Sequence, residues 1–256
     1  MPVKGRGDNR RNVTGVKTAN PPLSIRSLDE PLVAAKIVAL FASASRLRAD
    51  SHADATSKAL RGKNLALLLA TPAGRETSPL HQAAQELGVR VAEVRFEADG
   101  SGPRELGTLA RLLGRLYDAI DCGALPPSIV QRIEQETSVP VYAGLGQDDH
   151  PARALADLMT LCERGSGAGG RTTVLFVGDP QTPRSAKFLS AAREMGFAPR
   201  ISDAAHPPRN GAAFAVDARA PGWLLYAQGR PIEETLRSAN HRSILQSVLL
   251  ETIPRT

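Results

Sequence analysis

The chain has 256 residues, 42% of them apolar, and a formal net charge of +6. That is enough apolar side chain for a packed core, and no uninterrupted apolar run approaches the ~18 to 20 residues of a membrane-spanning helix. With no apolar core behind the basic N-terminus, the sequence reads as a cytoplasmic globular protein. Cys122 and Cys162 are the only cysteines, and without metal-ligand spacing or a disulfide framework both read as small buried apolar groups.

The positive charge is concentrated at one end. Residues 1–27 hold Lys4, Arg6, Arg10, Arg11, Lys17 and Arg26 against Asp8 alone, and the remainder is close to neutral. This arm lacks the aromatic platforms of a dedicated nucleic-acid module, so a solvated, disordered tail is expected. Asp29-Glu30-Pro31 then opens a helix, because acids and an early proline suit a helix N-terminus, and helical apolar spacing continues from Leu32 to Arg48. Asn64–Ala70 is an apolar run of the length of a strand buried on both faces.

From there strands and helices alternate. A helix through Gln82–Leu87 is closed by Gly88, and a strand is expected at Val89–Phe96. The flexible loop Asp99–Pro103 leads to a helix at Leu109–Leu116 and a strand at Tyr117–Cys122. Pro126 opens another helix, and Val139–Ala143 is a fourth strand. At this spacing the pattern predicts a parallel sheet with helices on both faces, its ligand loops following the strands.

Asp148-Asp149-His150-Pro151 ends the last of these loops and starts a helix with a histidine in its first turn. A helix N-terminus offers unpaired N–H groups and a positive dipole end, so His150 and Arg153 there suit an anion or a polarised carbonyl. An ordinary cap is the alternative: Asp148 or Asp149 accepts the N–H bonds, Pro151 fills the first turn, and Ala154, Leu155, Leu158 and Met159 form a core face. Gly165–Gly170 reads as a hinge. Beyond it, strands are expected at Thr172–Val177, Ala198–Ser202, Ala212–Val216 and Gly222–Tyr226, with a helix at Arg184–Met195 and a closing helix at Pro231–Ile253. Too few residues remain for a full second set of strand–helix units.

The run Leu109–Ile120, followed by Val139-Pro140-Val141 and the His150-Pro151 segment, resembles the ornithine and aspartate carbamoyltransferase family, most closely its ornithine branch. The resemblance extends from about Leu28 to Ile253. It implies two α/β domains with parallel sheets, the second shortened: a tail over 1–27, a carbamoyl-phosphate-binding-like domain over 28–164, a Gly-rich hinge over 165–170, an amino-acid-binding-like domain over 171–230, and a C-terminal helix over 231–256 returning to the first domain. No cofactor or metal is implied. The ligands implied are carbamoyl phosphate or another small anion and an amino acid, and the assembly implied is a homotrimer or a mixed one with an active relative.

Carbamoyl transfer requires a leaving phosphate to be neutralised and a carbonyl to be polarised. Where the family carries Ser-Thr-Arg-Thr-Arg, this chain has Ala73-Gly74-Arg75-Glu76-Thr77, so Arg75 remains as a phosphate ligand and Glu76 opposes it. Two like charges ~4 Å apart repel by about 4 kcal/mol at an effective dielectric of ~20. One charge-assisted hydrogen bond from Arg75 returns only ~1.5 to 3 kcal/mol, and pairing of Arg75 with an acid is the structural alternative. The family's arginine after the Asp-Ala-Ile strand corresponds to Gly123, and the glutamine of its His-Pro-x-Gln motif to Arg153.

His150 is retained as the catalytic candidate that would polarise the carbonyl, with Arg75, Arg153 and Arg184 as candidate substrate-binding residues. Arg184 matches an arginine that binds substrate carboxylate in the aspartate branch, and Ser185 falls where the ornithine branch has asparagine. In the lid segment Asp99–Gly107, Arg104 is the one candidate substitute. The ornithine branch's Asp-x-x-x-Ser-Met-Gly and His-Cys-Leu-Pro segments have no counterpart. Three readings follow: a family member with degraded sites that persists as a binding or assembly partner, a divergent carbamoyltransferase acting on an amino acid such as ornithine or aspartate, and a nucleic-acid-associated protein acting through the tail.

Overall fold

The computed structural model describes residues 28, 32–52, 58–69, 78–96, 103–165, 172–202, 213–219 and 223–254. The basic tail, Asp29–Pro31, the 73–77 motif with Arg75, residues 97–102 with the start of the segment expected as a lid, most of the Gly-rich hinge and the loop over 203–212 lie outside them.

Two sheets are built from alternating strands and helices. The first contains β1 (Asn64–Leu69), β2 (Arg90–Arg95), β3 (Ala119–Asp121) and β4 (Val141–Tyr142), in the order β2-β1-β3-β4 and parallel throughout. Its helices are α1 (Ala34–His52), α2 (Pro79–Glu86), α3 (Pro103–Leu116) and α4 (Pro127–Glu136). β1 and β3 are the inner strands, and in β1 Leu65, Ala66, Leu67 and Leu68 are all buried, as a strand covered on both faces requires. On one face Ala66, Leu68 and Ile120 pack with α3 and α4 through Leu106, Ala110, Leu113 and Ile133.

The second sheet contains β5 (Thr173–Val177), β6 (Ala198–Ser202), β7 (Phe214–Asp217), β8 (Leu224–Ala227) and β9 (Arg230–Pro231), in the order β6-β5-β7-β8-β9. Its core is parallel, β6-β5-β7, whereas β8 and β9 return antiparallel. The reason is connection length. Too few residues separate β7, β8 and β9 for crossover helices, so only tight reversals can join them.

Three further helices tie the sheets together: α5 (Pro151–Arg164), α6 (Pro183–Glu194) and α7 (Glu234–Thr252). α7 packs against α1, α2 and α5, and α5 packs against α6 as well. α5 is buried along its whole length from Pro151 to Leu161, not only on the face of Ala154, Leu155, Leu158 and Met159. One continuous apolar cluster therefore runs from Leu40 of α1 through Leu158 of α5 to Phe188 of α6 and Leu249 of α7.

Several boundaries differ from expectation for local reasons. α3 begins at Pro103, so the residues to Gly107 are helical and Arg104 stands exposed in its first turn. α7 begins at Glu234 because Arg230–Pro231 pairs with β8 first. Cys122 is buried, but Cys162 is only partly so; burial pushes both thiols up, to about 12 and about 11, which keeps them protonated.

Candidate functional site

α5 starts at the C-terminal end of the first sheet. Asp121, the last residue of β3, accepts the backbone N–H groups of Gly144 (3.1 Å) and Leu145 (2.9 Å), which fixes the loop leading to His150. Burial raises the Asp121 carboxyl to about 6 even though those N–H groups pull it down. Gly123, which stands where the resemblance places an arginine, has φ +53°, and a Cβ there would lie 2.9 Å from the Leu68 carbonyl oxygen. An arginine at that position requires the backbone to move.

The cap of α5 is His150 itself, in place of Asp148 or Asp149. Its Nδ1 accepts the Ala152 N–H at 3.1 Å, and Pro151 occupies the first turn. Burial lowers the imidazole to about 4; Asp149 opposes that shift and Lys187 of α6 adds to it. With Nδ1 accepting, the neutral ring carries its proton on Nε2, the form that donates to a carbonyl oxygen.

Arg153 and Arg184 come together with residues that the sequence did not single out. Arg153, 4% exposed, reaches α7: one Nη lies 2.5 Å from Glu234 Oε1 and the other 3.3 Å from His241 Nδ1. Arg184, also 4% exposed, donates to Asp157 Oδ2 at 2.6 Å and lies with its Cζ 4.1 Å from the centre of the Trp223 ring. Asp157 has no exposed surface, and its other oxygen takes two bonds of 3.0 Å from Arg237. Arg237 also donates to Glu234 Oε2 (2.7 Å) and to the Trp223 carbonyl (3.0 Å).

The cluster is thus an alternation of guanidinium and carboxylate groups drawn from α5, α6 and α7. Burial and the facing arginines push His241 well down, and burial likewise lowers Arg184 against the pull of Asp157. Glu234 is held below its usual range because Arg153 and Arg237 outweigh the effect of burial. Three donors remain without a hydrogen-bond partner among the described residues: Nε of Arg153, Nε of Arg184 and Nε2 of His241.

Ser185 belongs to the cap of α6, where the Thr182 hydroxyl accepts its N–H at 3.2 Å. Asp157, Glu234, Arg237 and His241 were missed. The available signals were an acid within an otherwise apolar stretch of α5 and the 234, 237, 241 spacing, which places three polar groups on one face of α7. Among the described residues no group of His, Cys, Asp and Glu could hold a metal ion, and no helix is long and apolar enough to cross a membrane.

Two sheets joined by a buried helical seam, with a His-Pro helix start at the end of the first sheet, define a two-sheet α/β architecture. The chain belongs to the aspartate/ornithine carbamoyltransferase family: the family model for its carbamoyl-P binding domain matches residues 28–163. Ornithine carbamoyltransferase from Pyrococcus furiosus is similar at 25% identity and a TM-score of 0.56, over 70% of this chain and 56% of that one. A mitochondrial ornithine carbamoyltransferase from Coccidioides immitis shares the fold at 21% identity and a TM-score of 0.57, over 75% and 62%. The catalytic subunit of M. jannaschii aspartate transcarbamoylase does so at 20% and 0.54, over 70% and 58%. The chain therefore spans little more than half the length of these relatives.

Proposed function

We propose that this carbamoyltransferase-family chain no longer transfers carbamoyl groups and serves as a cytoplasmic binding or assembly partner, in a homotrimer or in a mixed assembly with an active relative. In this reading residues 28–164 keep the shape of the phosphate-binding unit, 171–230 are a reduced amino-acid unit, and 231–256 return to the first. The observation that carries it is the internal neutralisation of the cluster. Arg184 is occupied by Asp157, and Arg153 by Glu234 and His241. A substrate carboxylate that took Arg184 would have to displace a buried acid shared with Arg237. Opening such a pair costs about 3–5 kcal/mol, against ~1.5–3 kcal/mol from the new charge-assisted bond.

The altered phosphate motif around Arg75 and the replacement of an arginine by Gly123 support the same conclusion. The test is calorimetry with millimolar carbamoyl phosphate, together with assays for citrulline and carbamoyl-aspartate. No heat and no product are expected.

A divergent carbamoyltransferase acting on an amino acid is the second reading. It is favoured by the neutral His150 ring with its Nε2 proton and by the three unpartnered donors nearby. Turnover that disappears in both His150→Ala and Arg75→Ala would establish this reading and overturn the first.

A further inference from the structure

A concavity lies where the C-terminal end of α5 meets the β8–β9 hairpin and the start of β7. It encloses about 550 Å³, within the range of small-molecule sites. Its lining combines Phe214, Ala227 and Ile232 with Arg164, Arg230 and Gln228. We propose that this cavity is a binding site for a small organic monoanion: a carboxylate or sulfonate headgroup held by the two arginines, on an apolar body resting on Phe214 and Ile232.

Three observations support a formed site. The Phe214 ring packs edge-on against Phe197, with centroids 6.1 Å apart, so the apolar wall is backed by a second aromatic ring. Gly165, the C-cap of α5, lies against that ring so closely that a Cβ would sit 3.2 Å from Phe214 Cζ. The hairpin turns tightly on Gln228-Gly229 between the paired residues Ala227 and Arg230, with φ of 49° and 74°, the left-handed pair that a two-residue hairpin turn requires, and this holds Arg230 at the rim.

The charge balance sets the ligand class. Neither Arg164 nor Arg230 forms an ion pair among the described residues, while the exposed Glu233 also borders the cavity. Two guanidinium groups and one carboxylate leave a single positive charge, which suits a monoanion over a dianion. The apolar wall disfavours a bare inorganic ion, because it offers no donors to replace lost water.

The test titrates the full chain with 8-anilino-1-naphthalenesulfonate, followed by fluorescence, and with N-phenyl-1-naphthylamine as the same apolar body without the charge. One saturable sulfonate site is expected. In the double variant Arg164→Gln/Arg230→Gln its affinity should fall about tenfold while the neutral compound changes less than twofold. Both substitutions are on exposed side chains, and an unchanged melting temperature would show the fold intact. Ala227→Phe, which fills the cavity, should weaken both probes. The proposal is overturned by the absence of saturable binding, by an unchanged sulfonate affinity in the double variant, by equal losses for the two probes in that variant, or by undiminished binding to Ala227→Phe.

Discussion

Asp157 receives Arg184 on one oxygen and Arg237 on the other, with no water-accessible surface of its own. Its removal leaves the buried Arg184 guanidinium without a carboxylate partner among the described residues and Arg237 with Glu234 alone. Asp157→Asn should therefore cost about 3–5 kcal/mol of stability, read from the urea midpoint, although the side chain keeps its shape. Replacing all three members by Leu and Met should recover most of that loss, since a packed apolar trio carries no desolvation term. Asp121 and His150 make a second prediction at this scale, because their shifts have opposite signs. His150, lowered to about 4 from 6.5, contributes stability that is present above pH 6.5 and lost as pH falls through 4, roughly 3 kcal/mol in full. Asp121, raised to about 6 from 3.8, contributes stability that is present below pH 3.8 and lost as pH rises through 6, of similar size. The two largely offset each other between pH 4 and 6. Asp121→Asn should therefore expose an acid destabilisation over that window, whereas His150→Asn should reverse the slope so that stability rises as pH falls from 6 to 4, both measured as denaturant midpoints against pH.

α5 and α7 are joined by a polar seam as well as by apolar packing. Beyond the cluster, the buried Asn240 donates to Thr160 Oγ1 and Glu163 Oε2, both at 3.0 Å, and accepts from Arg48 of α1. Arg48 in turn pairs with Glu163 at 2.6 Å. Asn240→Ala leaves the Thr160 and Glu163 oxygens and the Arg48 guanidinium each short of a partner. A loss of about 2–4 kcal/mol is expected from several unsatisfied groups of this kind. Hydrogen exchange should show α1, α5 and α7 losing protection together, because one side chain bridges all three. The helix starts were legible at this scale, since Pro151 and Pro183 sit just inside α5 and α6 as local chemistry requires. The exact cap of α5 was not. Histidine and aspartate can both accept the first N–H groups, and the choice depends on how the preceding loop is held by Asp121.

At the level of the whole molecule, the seam of α5, α6 and α7 makes the relation between the two sheets a packed one. An assembly partner needs a surface, and α3 offers an apolar pair one turn apart: Leu112 is 50% exposed and Leu116 59%. If the chain assembles as proposed, Leu112→Lys/Leu116→Lys should shift sedimentation toward the single chain, whereas Arg153→Ala should leave the assembly intact.

The sequence by itself determined the family, the alternation of strands and helices, and the parallel order implied by long crossovers. These depend on short-range spacing and on which residue type occupies a motif position. Only the tertiary structure decided what Arg153 and Arg184 do. Their counter-charges, Glu234 and Asp157, lie 81 and 27 residues away along the chain. A buried charge is governed by distances of a few ångströms, which sequence separation does not encode. A pattern of arginines in the sequence carries no record of the acids that the fold sets against it.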